Sequence, residues 1–245
     1  MKKYLSVFYL FTKESFLRII ILWMLSFTLQ GILLRLSASS FPLSENSVAS
    51  LRDIGDKVYL PLIFIITVAI TAILLLRAKK QSVSKYSYTL RRLLIKEKTV
   101  FLIRAFYNTL IIFMLFALSV VFYFLIFGKL TEVFPENYFS SQAAYMTMYN
   151  YPFLHNVFAG RDILRLTRNL LFITAIGVNL AADSFLGTRG KTWFGAHISV
   201  ISSYFLFTEG QYMGSIPFDV FFLSEAIGLI VCTLTYVLRK EEQYD

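Results

Sequence analysis

Cysteine, histidine and charged residues are all scarce in this sequence of 245 residues. The one cysteine, Cys232, lies in an apolar run, so the chain can form neither an intrachain disulfide nor a cysteine metal cluster. Of the two histidines, His155 has no Cys, Asp or Glu nearby at the spacing of metal ligands. Charged residues make up 16% of the chain, too few for a domain that faces water on most of its surface. These shortages argue against redox chemistry, and we expect no metal and no cofactor bound by this chain.

Apolar residues, in contrast, are abundant. The sequence is 57% hydrophobic and 17% aromatic, and uninterrupted apolar runs cover residues 60–76 and 100–127. Runs of this length are typical of helices that cross a bilayer. We therefore predict an all-α integral membrane protein whose 245 residues form a single transmembrane domain. Six transmembrane helices are predicted, at about residues 16–34, 58–76, 100–127, 169–186, 194–207 and 217–238.

The basic residues predict how these spans are oriented. Six spans place both termini on one side, and cytoplasmic termini put most of the 24 basic residues inside, as the positive-inside rule requires. The N-terminal run resembles a secretory signal, but it is long and contains Arg18, which favours a retained first span. One segment conflicts with this orientation, because residues 161–169 (RDILRLTRN) put three arginines outside. The preceding residues 139–160 are predicted to be an external interfacial segment, with a re-entrant hairpin as the alternative.

A basic amphipathic helix is predicted at about residues 84–97, in the cytoplasmic loop between spans two and three. Its apolar stripe and its basic faces follow the helical period. A net charge of +9 suggests nucleic acid, but cations beside apolar spans are better explained by anionic lipid. The helix therefore either anchors the loop to lipid or couples an applied force to the third span, which begins after a short polar break at residues 96–99.

The segment YTLRRLLIKEKTVFLIRAFYN, residues 88–108, resembles the second intracellular loop and the start of the third span of small ABC-2-type permeases of Gram-positive bacteria. These permeases are membrane subunits of ATP-binding-cassette exporters. The resemblance extends to the six-span layout and to PFLHNVF at residues 152–158, whereas the first span and the last two match only in hydropathy. The matching residues are Tyr88, Thr89, Leu90, Arg92, Leu93, Glu97, Phe101, Tyr107 and Asn108.

This resemblance implies a multi-pass permease of the bacterial plasma membrane that pairs with a second permease, identical or related, and with two cytoplasmic ATPase subunits. It also implies that the chain is not an enzyme, since ATP and Mg would bind in the partner ATPase. In agreement, the sequence has no G-x-x-x-x-G-K-[ST] loop. A peptide, drug or lipid-like substrate is implied, although substrate and direction of transport stay open. The ATPase-coupling residues would be Tyr88, Leu90, Arg91, Arg92, Leu93, Ile95, Lys96 and Glu97.

Polar residues at membrane depth are candidates for a substrate path because an ionisable group there costs about 2.5 kcal/mol or more. Glu225 is the strongest, and a path carboxylate or a hydrogen-bonded structural residue explains it equally well. Asn179 and Asp183 share a helical face, and Asp183 is predicted to pair with His197. Asn108 completes the set. Gly177, Ala181, Ala182, Ala226 and Gly228 are predicted to let helices approach closely.

Two other functions fit parts of the same pattern. A non-transporting membrane scaffold or immunity subunit would need the basic helix only for contact with lipid. An intramembrane enzyme is the weaker alternative, because the predicted topology puts the two histidines on opposite sides of the membrane. The sequence also contains no H-E-x-x-H motif and no paired glutamates at membrane depth.

Overall fold

The computed structural model describes residues 2–40, 51–77, 95–132, 142–158, 162–187, 191–208 and 215–242. Within these residues the chain is helical, as the sequence predicts. The helices are α1 (Lys2–Ser39), α2 (Leu51–Lys57), α3 (Leu60–Arg77), α4 (Glu97–Thr131), α5 (Ala143–Asn150), α6 (Pro152–Phe158), α7 (Ile163–Gly187), α8 (Gly195–Thr208) and α9 (Ile216–Glu242).

Each predicted span coincides with a helix, but among the described residues four helices are long and apolar enough to cross a membrane. These segments are Ser15–Ser39, Glu97–Thr131, Ile163–Gly187 and Ile216–Arg239. The apolar parts of α3 and α8, Leu60–Leu76 and Gly195–Phe207, are shorter. At about 1.5 Å per residue they extend roughly 26 and 20 Å, less than the ~30 Å of a bilayer's hydrocarbon core. Helix length and composition thus indicate a membrane protein with four candidate spans.

The six helices that coincide with predicted spans alternate in direction along the chain; they are α1, α3, α4, α7, α8 and α9. Trp23 of α1 contacts Thr71 of α3, and Ser26 contacts Thr67. Residue numbers therefore increase along α1 while they decrease along α3, so these helices are antiparallel. In contrast, α1 and α4 are parallel (Phe8 with Phe106, Phe27 with Phe122), as are α7 and α9 (Phe172 with Phe222, Asn179 with Thr233). We call the two ends of the bundle the Arg104 end and the Arg168 end, after an arginine near each. α1, α4 and α8 begin at the Arg104 end, and α3, α7 and α9 begin at the Arg168 end.

Helix α7 forms the centre of the bundle. Its apolar segment is 67% buried, whereas those of α1 and α9 are 28% and 22% buried. Gly177 allows α4 to approach α7, because a Cβ on this glycine would lie 2.6 Å from the backbone nitrogen of Thr109. Close approach at Gly177 is therefore confirmed. The same prediction for Gly228 is wrong, because a Cβ there would meet nothing within 4 Å.

The segment between the third and fourth predicted spans folds as two short helices, α5 and α6. Tyr145 and Tyr149 of α5 are exposed, which agrees with an interfacial position, but Phe153 of α6 is 2% exposed. The Phe153 ring contacts Phe64 of α3 at 5.6 Å and Tyr123 of α4 at 5.7 Å. The prediction of an external interfacial segment did not include this burial of α6, which follows from aromatic packing against α3 and α4.

The start of α4 bears on the predicted amphipathic helix. Residues 84–94, which include Tyr88, Leu90, Arg91, Arg92 and Leu93, lie outside the described residues. Ile95 and Lys96 are not helical, and Glu97 is the first residue of α4. An amphipathic helix before α4 can therefore extend no further than residue 94, and the polar break is at Lys96, whose ψ of 138° is extended.

Candidate functional site

A network of buried charges occupies the Arg168 end. Arg168 is 1% exposed and lies in the second turn of α7. Its guanidinium forms an ion pair with Asp219 of α9 and donates to Oδ1 of Asn156 in α6. It also donates to Oδ1 of the adjacent Asn169, with Nη2 at 2.9 Å. Because a charge buried without partners is strongly unfavourable, these acceptors are what allow an arginine at this position.

A second arginine completes the network. Arg165 Nε lies 3.3 Å from Oδ2 of Asp219 and 3.4 Å from Oδ2 of Asp162. Asp162 precedes the first turn of α7, and its Oδ1 accepts from the backbone N–H of Leu164 at 3.0 Å and of Arg165 at 3.3 Å, as an N-cap residue does. Two guanidinium groups thus face two carboxylates, and their formal charges cancel.

Two asparagines extend the network to the neighbouring helices. Asn169 donates to the backbone oxygen of Asn156 at 2.7 Å, which joins α7 to α6. Asn156 in turn donates to the backbone oxygen of Leu206, in the last turn of α8. The carbonyl groups at a helix end need partners, and here α6 supplies one. The network therefore holds α6, α7, α8 and α9 together at one end of the bundle.

These contacts explain the arginines that conflict with the predicted orientation. Arg165 and Arg168 are buried links between helices, and Arg161 lies outside the described residues. Asp219 lies in the first turn of α9, where a negative charge is favourable, and it also neutralises both arginines. The sequence contained a signal for this pairing, because opposite charges stand in the first turns of two spans that enter from the same side.

His155 stands beside the network, on α6. Its ring lies 4.9 Å from that of Tyr149 in an edge-on arrangement. Burial lowers the pKa of His155, and the nearby positive charge of Arg165 lowers it further. The carboxylates of Asp162 and Asp219 oppose this lowering but do not reverse it, so the environment favours the neutral form of His155.

A second polar cluster lies nearer the Arg104 end and contains two of the predicted path residues. Oδ1 of Asn179 accepts from Nε1 of Trp193 at 2.8 Å and from Oγ1 of Thr233 at 2.8 Å. Asp183 accepts from the backbone N–H of Trp193 at 3.2 Å. Asn179 and Asp183 do share a face, but Trp193 is what joins them. The predicted pair of Asp183 with His197 does not form, because His197 is exposed and contacts the Phe194 ring instead.

The other two path candidates are bound elsewhere. Asn108 of α4 is 1% exposed and donates to the backbone oxygen of Gly177 at 3.4 Å, so it faces α7 two residues from Asn179. Glu225 of α9 is partly exposed and accepts from the hydroxyl of Ser202 in α8. The structure thus gathers Asn108, Asn179 and Asp183 along α7 and leaves Glu225 on a separate contact between α8 and α9.

Polar contacts also join α1 to its neighbours. Ser26 lies 2.6 Å from the hydroxyl of Thr67 in α3, and Gln30 donates to Ser26 at 3.1 Å. Oε1 of Gln30 accepts from the hydroxyl of Tyr123 in α4 at 2.9 Å. The partners on different helices lie 41 and 93 residues apart in the sequence, so no local spacing indicates these contacts, although polar residues within a span are candidates for contacts between helices.

Arg104 closes the bundle at the opposite end from Arg168. Its Nη2 donates to the backbone oxygen of Leu75 at 3.2 Å, in the last turns of α3, and its guanidinium lies 5.4 Å from the centre of the Phe11 ring. A cation is favourable at a helix C-terminus, where carbonyl groups lack partners within the helix. Arg104 therefore ties α4 to the end of α3 and to α1.

Comparison with known proteins returns no match to a family model, a curated protein or a solved structure. Function must therefore be argued from the chain's own residues. Most of the polar groups described above bind each other across helix contacts, and such contacts position helices. Glu225 differs from the buried path candidates Asn108 and Asn179 in being partly exposed.

Proposed function

We propose that this chain is the permease subunit of an ATP-driven exporter of the ABC-2 type. It would cross the bacterial plasma membrane six times, with both termini in the cytoplasm, and would work with a second permease and two ATPase subunits. Its substrate would be a peptide, a drug or a lipid-like molecule. The alternating directions of the long helices support six crossings. The link from Asn156 to Leu206 supports a crossing by the short α8, because α6 completes the end of that helix.

The continuous helix α4 is the observation that carries this proposal. It begins at Glu97, directly after the basic segment that resembles the ATPase-docking loop of these permeases, and continues without a break to Thr131. Along its length it contacts α1 through Tyr107 and Tyr123, and α7 through Asn108. A displacement at its start would therefore be passed to both halves of the bundle, as coupling to a cytoplasmic motor requires.

The double substitution Arg92→Glu and Leu93→Asp tests the coupling. We expect it to abolish recovery of a P-loop ATPase with the tagged chain in mild detergent, because it reverses a charge and places a second in the predicted docking stripe. Membrane insertion should be unaffected, since residues 92 and 93 precede the apolar part of α4. Recovery is measured by mass spectrometry of the eluate and by its ATP hydrolysis.

Lys3→Glu with Leu5→Asp provides a matched control. It makes comparable charge changes at exposed positions of α1 at the Arg104 end, outside the predicted docking helix, so ATPase recovery should persist. Equal recovery with the Arg92 and Leu93 variant and with wild type would argue against coupling and would favour a helix that only anchors the chain to lipid, as in a scaffold or immunity subunit.

Glu225→Gln tests the candidate substrate path. Glutamine keeps an oxygen that can accept from Ser202, so we expect the amount of protein in the membrane to stay close to wild type. Loss of the negative charge should weaken export of whichever compound the wild-type complex removes from cells, measured across a panel of peptides and drugs. Ser202→Ala, which removes the donor but keeps the charge, should have the smaller effect on export. Parallel loss of protein and export in Glu225→Gln would show that Glu225 is structural.

A further inference from the structure

A groove of about 990 Å³ runs along the outside of the bundle between α1 and α4, toward the Arg168 end. It lies apart from both polar clusters. On α1 its wall is formed by Met24, Thr28 and Ile32, which recur every four residues and are exposed. Phe122 and Ile126 form the facing wall on α4. A groove lined in this way presents an apolar surface to the hydrocarbon of a membrane.

Among the described residues that line this groove, the charged ones stand at one end. Arg35 follows Ile32 on α1, while Lys129 and Glu132 follow Ile126 on α4. All three side chains are exposed, and within the described part of the chain Arg35 and Lys129 form no ion pair. The rim therefore has an excess of positive charge, contributed by cations on two different helices.

The length of the groove matches half of a bilayer. Met24 and Arg35 lie roughly 16 Å apart along the axis of α1, at about 1.5 Å per residue. One leaflet contributes about half of the ~30 Å hydrocarbon core, or ~15 Å. With its cations at headgroup depth, the apolar part of the groove would thus reach about the middle of the membrane.

We propose that this groove is a binding site for one phospholipid with an anionic headgroup. Arg35 and Lys129 bind the phosphate and the negative headgroup, and the acyl chains lie along the walls formed by α1 and α4. Both features are needed, because cations at the end of a span attract anionic lipid in general, whereas the groove confines one molecule beside them. The site does not depend on the proposed transport function, since its residues belong neither to the path candidates nor to the ATPase-coupling segment.

Native mass spectrometry of the purified full-length chain tests this site. The protein is released from detergent with phosphatidylglycerol or phosphatidylcholine added at known concentrations. We expect the wild type to retain one phosphatidylglycerol at least tenfold more tightly than phosphatidylcholine. Arg35→Gln with Lys129→Gln should remove this preference. Lys13→Gln with Arg239→Gln removes two exposed charges at the Arg104 end and should retain it.

A second variant tests the apolar part of the site. Thr28→Phe fills the groove, and the threonine hydroxyl it removes bonds only within α1, to the backbone oxygens of Met24 and Leu25. We expect Thr28→Phe to weaken the binding of both lipids, whereas Thr28→Ala should bind them as the wild type does. Thermal unfolding of each variant in the same detergent shows whether it has folded. If Thr28→Phe does not fold, the proposal is tested by the two paired charge variants alone.

Three results would overturn the proposal. The first is equal retention of the two lipids by the wild type. The second is equal loss in the two paired charge variants, which would mean that charge acts without a defined site. The third is a shift from dimer to monomer in Thr28→Phe with lipid retention unchanged, which would identify a second copy of the chain as the occupant of the groove.

Discussion

Asp219→Asn is expected to lower the free energy of unfolding by about 3–5 kcal/mol, because it leaves Arg168 buried without a counter-charge. The Arg168 and Asp219 side chains are 1% and 3% exposed, so water cannot replace the lost carboxylate. Asparagine keeps the size and one oxygen, which limits the change to charge. Unfolding of the purified chain in mixed micelles, with increasing amounts of a denaturing detergent, measures the difference.

Asp56→Asn provides the matched control. Asp56 forms a 3.5 Å ion pair with Arg52, one turn apart on α2, and both side chains are 52% exposed. The same chemical change at this exposed pair should cost less than about 1 kcal/mol. Replacing both buried partners, with Arg168→Met and Asp219→Leu, should restore only part of the loss, because Arg168 no longer needs a counter-charge but the oxygens of Asn156 and Asn169 lose their donor and Arg165 keeps only Asp162. Similar losses in Asp219→Asn and Asp56→Asn would contradict the buried network.

The sequence was sufficient to predict the long helices of this fold, but not the short helices α2, α5 and α6. Hydropathy identified each long helix, and Pro61 and Pro217 each lie at the second position of a helix, where a missing N–H is tolerated. The first helix was predicted too short, at residues 16–34. Lys13 and Arg18 interrupt its hydropathy but not its helical propensity. Val7 and Phe11 are buried, so packing continues toward the N-terminus.

Partners across helices could not be predicted in the same way. Trp193 joins Asn179 to Asp183, but helical periodicity does not favour it over His197, because both residues follow the turn after α7. The burial of α6 was not predicted for a related reason. Residues 152–158 are only moderately apolar, and their burial depends on aromatic side chains of α3 and α4 that surround Phe153. Local patterns specify helices, whereas the choice among polar partners is settled by packing.

Arginine side chains join helices at both ends of the bundle. At one end, Arg168 and Arg165 join α7 to α9, while asparagines bring in α6 and α8. At the other end, Arg104 joins α4 to the last turns of α3. Between them, α4 and α7 touch at Gly177, so this contact connects the half of the bundle containing α1 and α3 with the half containing α8 and α9. A change at Gly177 should therefore affect the whole structure.

Gly177→Ala is expected to lower the free energy of unfolding by about 3 kcal/mol, the upper part of the range for overpacked cores. The added Cβ would lie 2.6 Å from the backbone nitrogen of Thr109 and 2.7 Å from its Cα. A side chain could rotate away, but backbone atoms move only if α4 and α7 separate. Separation would also lengthen the 3.4 Å contact from Asn108 to the backbone oxygen of Gly177. Unfolding in mixed micelles measures the loss.

Gly228→Ala makes the same change where the new Cβ meets nothing within 4 Å. Because alanine favours a helix interior over glycine by roughly 0.5–1 kcal/mol, this variant should be unchanged or slightly more stable. Adding Thr109→Ala to Gly177→Ala removes the hydroxyl that the new Cβ also meets, but it leaves the backbone clash, so only part of the loss should return. Full recovery would mean that the threonine side chain sets the distance between α4 and α7. Equal stability of the two single variants would mean that these helices do not approach closely at Gly177.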